Sequence, residues 1–241
     1  MKIAFIGYGK MGRLIERLAA ERGHEKVVVV NESHAGLDAE ALADTLKIAD
    51  VAIDFSAAEA VRRNVKACIL AGIPMVEGTT GWNDQREEIE KLVADGSGAM
   101  VYGANFSIGV NLFYKVVEFA GALFAKFPEY EVFIEEQHHS QKKDSPSGTA
   151  LKIEQVLSAA ITKTSEPDKD VRIPIAATRA GHIPGTHRVG FDGVGDQILI
   201  EHTARGRECF AIGAIMAAEW IIGEKGFYEF TEALDKIGGL S

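Results

Sequence analysis

The chain has 241 residues, with 26 Lys and Arg against 35 Asp and Glu and a formal net charge of −9. That length supports a well-buried core in one large domain or two modest ones. The negative charge excludes a general nucleic-acid or anionic-membrane surface, since both would repel it, and any anionic ligand must find a local cationic pocket.

The opening MKIAFIGYGKMG interrupts its apolar run with glycines too early for a signal-peptide core. The longest apolar stretch, Phe210 to Ile222, is broken by Glu219 and is too short to cross a bilayer. A cytoplasmic protein is expected, with Cys68 and Cys209 as core thiols rather than a disulfide or metal framework.

In chain order, Lys2 to Ile6 reads as a strand, Gly7 to Gly12 as a glycine turn and Met11 to Ala20 as a helix. The valine run Val27 to Val30 is apolar on both faces, as a buried parallel strand requires. Strand and helix then alternate: Val51 to Phe55, Ala57 to Leu70, Ile73 to Val76, Asp84 to Val93 and Ala99 to Tyr102. This pattern predicts an α/β fold with a Rossmann-type doubly wound parallel sheet.

After Gly103 the pattern changes. A long helix is expected over Ile108 to Phe127, an extended segment over Tyr130 to Gln137 and a helix over Thr149 to Ile161. Strands follow at Val171 to Thr178, His187 to Phe191 and Gln197 to His202, with turns at Pro184-Gly185 and Asp192-Gly193. They predict a second α+β domain carrying an open mixed sheet, spanning 107–206. Helices over Cys209 to Ile222 and Tyr228 to Leu234 would return to the first domain, 1–106 plus 207–241.

Gly7, Tyr8, Gly9, Lys10, Met11 and Gly12 form GxGxxG between a strand and a helix, with Glu32 about twenty residues beyond. The first glycine permits the tight turn, the second lets a pyrophosphate approach the backbone and the third lets helix and strand pack closely. Glu32 would accept hydrogen bonds from ribose hydroxyls. Ser33 follows with no neighbouring arginine to hold a ribose phosphate, which favours NADH over NADPH. Gly78, Thr79 and Thr80 follow the fourth strand, and Gly103, Ala104, Asn105 and Phe106 the fifth, at the rim where an open sheet binds ligands.

The segment EQHHSQKKDSPSGT, Glu136 to Thr149, gathers His138, His139, Lys142 and Lys143 before a helix start at Ser147, Gly148 and Thr149. Imidazole titrates near neutrality and can supply a proton. The ammonium groups and free helix N–H groups suit a carboxylate or phosphate. No third ligand at zinc spacing accompanies the histidines, so no metal site is expected, and no G-x-S-x-G elbow points to a hydrolase.

With the glycine turn, GTTG, GANFS and HHSQKKDSPSGT in that order, the chain resembles the dihydrodipicolinate reductase family over essentially its full length. The pattern HHxxKxDxPSGT is matched by His138, His139, Lys142, Asp144, Pro146, Ser147, Gly148 and Thr149. The resemblance implies a cytoplasmic homotetramer that uses NADH or NADPH to reduce a small anionic dicarboxylate, an unsaturated cyclic imine, to tetrahydrodipicolinate in the diaminopimelate route to lysine.

It also implies that His138 and Lys142 act in proton transfer and that His139, Ser147, Gly148 and Thr149 bind substrate. The cofactor positions would be Gly7 to Gly12, Glu32, Gly78 to Thr80, Gly103 to Phe106 and Arg207, with hinges near Ser107 and Arg205. The residues alone also fit a related nicotinamide-dependent imine or amino-acid dehydrogenase, or an NADH-binding redox sensor with a partner. The acidic composition and lack of a basic recognition helix speak against DNA.

Overall fold

In a computed structural model, which describes residues 1–164 and 172–239, the chain forms β1 (Lys2–Ile6), α1 (Lys10–Glu21), β2 (Glu25–Val30), α2 (Ala39–Leu46), β3 (Val51–Asp54), α3 (Ala58–Ala71), β4 (Met75–Glu77), α4 (Arg86–Asp95) and β5 (Ala99–Tyr102). There follow α5 (Ile108–Phe124), β6 (Glu131–His138), α6 (Gly148–Thr164), β7 (Ile175–Arg179), β8 (Thr186–Asp192), β9 (Gln197–Thr203), α7 (Glu208–Ile221), β10 (Gly226–Glu229) and α8 (Phe230–Gly238). They divide into two units: Met1–Ile108 with Arg207–Ser241, and Gly109–Gly206.

The first unit is a six-stranded sheet in the order β10-β5-β4-β3-β1-β2, with every pairing parallel. The period-two rule of a strand explains its two cores. Ile3 and Phe5 of β1 join Val51, Ile53 and Val101 against Ile15 of α1, Ile215 of α7 and Ala233 of α8. Ala4 and Ile6 join Ala52, Met75 and Met100 against Leu42 of α2, Val65 of α3 and Ile89 of α4. Both faces are covered, which is why these strands read as unbroken apolar runs.

Two elements depart from the sequence expectation. Helix α2 was not foreseen: its eight residues are only two turns long, too short to display a convincing period, and the Asp38 carboxylate starts it by accepting the Ala41 N–H at 2.8 Å. The expected helix over Tyr228 to Leu234 begins only at Phe230, because Gly226 to Glu229 add a parallel edge strand to β5. The Glu229 N–H donates to the Glu232 carboxylate at 2.8 Å, closing a capping box that fixes the helix start.

The second unit is a four-stranded sheet in the order β7-β6-β8-β9. Strand β6 is parallel to β7 and antiparallel to β8, which makes the sheet mixed as expected. Ile134, Val189 and Phe191 face Phe113 and Val117 of α5 and Ile153 and Leu157 of α6. The Phe124 and Phe191 rings stack at 4.2 Å. Val171, with which the expected seventh strand began, lies outside the described residues; β7 starts at Ile175.

Two glycines of the first turn have a steric reason. Gly7 has φ +78, and a Cβ there would lie 2.5 Å from the Phe55 carbonyl oxygen; at Gly12 it would lie 2.5 Å from the Gly7 carbonyl oxygen. Gly7→Ala is therefore expected to cost ~1–3 kcal/mol through backbone strain and overlap, read as a lowered midpoint in a thermal melt. An unchanged midpoint would refute that account of the turn.

Candidate active site

Helix α1 starts at Lys10 behind Gly9, with no side-chain cap on its first N–H groups. Such an uncapped start offers an anion both hydrogen bonds and the positive end of the helix dipole. Nothing lies within 4 Å of where a Gly9 Cβ would be, so the backbone is open to a ligand. Beside it is a cavity of ≈ 790 Å³ walled by Gly7, Tyr8, Gly9, Asn31, Glu32 and Ser33, with Arg13 and Arg63. Its size suits a small-molecule or cofactor site.

The two arginines change the sequence reading. None follows Ser33, yet α1 and α3 each bring one to the same wall. The Arg63 Nη1 donates to the carbonyls of His34, Ala35 and Leu37 at 3.2, 2.9 and 3.4 Å, tying down the turn behind Glu32. Arg13 lies over the Tyr8 ring, 5.3 Å from its centroid.

Two further cavities of the same unit continue the rim. One is walled by Lys10, Met11, Gly78, Thr79 and Thr80, the other by Gly103, Ala104, Phe106 and Arg207. Of the remaining sequence-named positions, Gly12 is buried in packing and Asn105 turns its Oδ1 to accept the Ser107 N–H at 2.9 Å. Phe55, which lines all three cavities, reads in the sequence as part of Asp54-Phe55-Ser56 at the end of the third strand, on the same rim but with no role assigned to it. It follows β3 and is as apolar as the strand, so nothing in its identity marks it.

In the second unit, β6 turns Ile134, Glu136 and His138 to the buried side, as residues two apart must. Glu136 stands opposite His187 of β8 in register, and His138 beside Arg179 of β7. The Glu136 Oε1 accepts from Arg179 Nη2 at 2.6 Å and from the Ser147 N–H at 2.9 Å. Its Oε2 lies 3.3 Å from His138 Nδ1 and 3.6 Å from His187 Nε2. Strand geometry also separates the adjacent histidines: His139 is exposed, and the imidazole beside His138 is that of His187, at 5.2 Å between ring centroids.

The start of α6 is a second correction. Its N–H groups were expected to be free for a substrate carboxylate. Instead the Ser147 N–H goes to Glu136 and the Ala150 N–H to Ser147 Oγ. Ser147 is buried, and its hydroxyl also meets His187 Nε2 at 3.2 Å. Buried amides require partners, and here the protein supplies them. Thr149 is half-buried and hydrogen-bonded to Tyr114, whose phenol burial pushes up to about 12.

Charges follow from these contacts. Burial acts to raise the Glu136 carboxyl, but the hydrogen bonds from Ser147 and Arg179 outweigh it and hold it below its usual range, ionised. Burial lowers His138, opposed by Glu136, so the imidazole is neutral at neutral pH. His187 is pushed down to about 4, first by burial and then by His138. Lys142 is half-buried, its ammonium 2.9 Å from the Asp144 carboxylate.

Ligand-capable atoms of Glu136, His138 and His187 lie within 4.8 Å of one another, so a third potential metal ligand does exist, supplied from β8. The Arg179 guanidinium already sits on the same carboxylate. A fixed cation there favours a hydrogen-bonded array over a bound metal ion.

An open parallel sheet with a glycine turn, an uncapped helix start and an acidic residue at the adjoining wall defines a Rossmann-type, NAD(P)H-dependent oxidoreductase. Residues 1–106 match the family model described as "Dihydrodipicolinate reductase, N-terminus" and residues 109–234 the one described as "Dihydrodipicolinate reductase, C-terminus". The chain is 38% identical to the 4-hydroxy-tetrahydrodipicolinate reductase of Christiangramia forsetii, covering 98% of this chain and 99% of that one. It is 36% identical to that of Archaeoglobus fulgidus, over 98% and 100%. Its fold resembles a dipicolinate-bound dihydrodipicolinate reductase from Paenisporosarcina sp. TG-14, with a TM-score of 0.79 at 24% identity over 95% and 97% of the two chains. The chain belongs to the dihydrodipicolinate reductase family.

Because the folded pKa of His187 is about 4 against an ordinary 6.5, the native state binds fewer protons than the unfolded chain between those values. Its contribution to stability is complete above 6.5 and is lost as pH falls toward 4. Thermal melts should show this acid loss in the wild type and a smaller one in His187→Gln. Equal acid loss in both would rule out the role given to this histidine.

Proposed function

We propose that the first unit holds the reduced dinucleotide and the second holds the substrate and supplies the proton. The chain is an NAD(P)H-dependent reductase of the 4-hydroxy-tetrahydrodipicolinate step in diaminopimelate and lysine biosynthesis, as its family and its relatives' shared activity establish. When bound, the cofactor supplies a hydride. The chain's own residues must hold the pyrophosphate at Gly9 to Met11, the ribose at Glu32 and the nicotinamide half along Gly78 to Thr80, Gly103 to Phe106 and Arg207.

In this reading His138 and Lys142 together supply the single proton that the nitrogen-containing ring takes up once hydride has reached it. The observation that carries the reading is the buried carboxylate of Glu136 against His138 Nδ1, at 3.3 Å. The negative charge of that carboxylate stabilises the protonated imidazole when a dianionic substrate arrives. Lys142 donates to the carboxylate of exposed Asp144 at 3.0 Å. An incoming substrate carboxylate would take the place of Asp144, aided by His139 and Thr149, while Ser147 acts indirectly by anchoring Glu136.

His138→Ala and Lys142→Ala should each lower kcat by roughly two to four decades, the range for a positioned proton donor. Since burial lowers His138, kcat/KM should fall as pH rises through a value below 6.5, and that limb should vanish in His138→Ala. Near-normal turnover in either variant would remove that residue from proton transfer.

NADH is the proposed preferred cofactor, because the Glu32 carboxylate lines the ribose wall and would repel a 2′-phosphate. Arg13 on the same wall offers the phosphate a compensating charge, so NADPH is a usable second cofactor. Glu32→Ala should narrow the NADH advantage by about ten-fold, the loss of a hydrogen bond to a charged group, measured as the ratio of kcat/KM for the two cofactors. An unchanged ratio would mean that the ribose is read elsewhere.

Homo-oligomerisation, with a homotetramer as the proposed state, is supported by apolar side chains left exposed in the second unit: Ile198 and Leu199 on β9, and Val116 and Phe119 on α5. Among the described residues no helix is long and apolar enough to cross a membrane. A cytoplasmic location belongs to the same proposal and suits cysteines outside any disulfide, of which Cys68 is buried and Cys209 half-buried.

A further inference from the structure

Beneath the cofactor rim of the first unit lie two carboxyl groups that neither hydride nor proton transfer uses. Asp54 ends β3 and Glu77 ends β4; they are register partners in the parallel sheet, and both are 0% exposed. Together they hold two rim loops. The Asp54 carboxylate accepts the Ser56 N–H at 2.8 Å, the Asn64 side-chain amide at 2.8 Å and the Thr79 hydroxyl at 3.5 Å. The Glu77 Oε1 accepts the Thr79 N–H at 2.6 Å. The same threonine receives the Trp82 indole N–H on its carbonyl at 2.8 Å and the Ser56 N–H on its hydroxyl at 3.0 Å.

The donors are divided unequally. Asp54 has several, whereas Glu77 Oε2 has none among the described residues and faces Asp54. Two bare carboxylates cannot share a dry site without a cation or a proton. Arg63 approaches only as far as Asn64 Oδ1, at 3.2 and 3.0 Å; among the described residues the buried thiol of Cys68 on α3 also faces the pair, and Tyr102 of β5 is the register partner of Glu77. A proton on Glu77 Oε2 completes the network, because it turns the orphan oxygen into a donor toward Asp54.

We propose that Glu77 is a positioning residue: as a neutral carboxylic acid it donates to Asp54, and this buried hydrogen bond sets the Gly78–Thr80 loop against the nicotinamide half of the cofactor. The inference rests on the cofactor assignment made above for that loop. Burial, followed by the neighbouring Asp54, holds the Glu77 carboxyl well above its ordinary 4.5. Its stabilising contribution is therefore full below 4.5 and is lost as pH rises through the folded value.

Glu77→Gln retains an acceptor for Thr79 and a donor for Asp54, so it should bind NADH like the wild type at neutral pH. The wild type should weaken in alkali as Glu77 ionises, and the glutamine variant should not. Glu77→Leu leaves Asp54 and the Thr79 N–H short of a partner and should raise the NADH dissociation constant and KM about ten-fold, with kcat little changed. Infrared spectra should contain a protonated-carboxyl stretch at neutral pH in the wild type that Glu77→Gln lacks; this readout stands even where the leucine variant fails to fold.

The proposal falls if Glu77→Gln binds as weakly as Glu77→Leu, or if the carboxyl band survives the glutamine substitution. Wild-type protein that binds no NADH would overturn the cofactor reading itself. Wild-type binding matched by both variants at every pH would overturn only the role of Glu77.

Discussion

Glu136 is 1% exposed and ionised, and a buried charge without partners costs several kcal/mol. The second unit is organised around meeting that requirement. Strand β7 contributes Arg179 and the start of α6 contributes the Ser147 N–H, while His187 of β8 and His138 of β6 stand 3.6 and 3.3 Å from Oε2 without a hydrogen bond to it. Three strands and a helix thus meet at one carboxylate, which stands beside the proposed proton donor.

The first unit contains the opposite solution to the same problem. Asp54 and Glu77 are as buried as Glu136, but no guanidinium reaches them, and polar hydrogens alone hold Asp54. Where a cation is built in, the buried carboxyl keeps its charge; where none is, charge is reduced by keeping a proton. Each solution ends at a rim proposed to contact ligand, so each unit couples its most costly buried group to its functional edge.

Division of labour between the units suits this chemistry. The uncapped start of α1 and the open backbone at Gly9 present fixed N–H groups to an anion, with no side chain to reorganise. In the second unit the α6 amides at Ser147 and Ala150 are already satisfied internally. The proposed recognition of a carboxylate there works by exchange with the exposed Asp144, next to Lys142 and His139.

The sequence by itself determined the α/β class, the parallel sheet, the mixed second sheet and the cofactor turn, because these rest on short-range patterns: apolar runs, glycines at fixed spacing and a strand followed by a helix. It also revealed the histidine segment, though not that Glu136 and His138 share one face of β6. The tertiary structure alone decided what surrounds them. His187 and Arg179 reach Glu136 from forty and more positions away through strand register, and Arg13 and Arg63 meet at one cavity wall from different helices. The α6 amides likewise found partners within the protein. Local pattern fixes which side a residue faces, but only the pairing of distant strands fixes what it meets there.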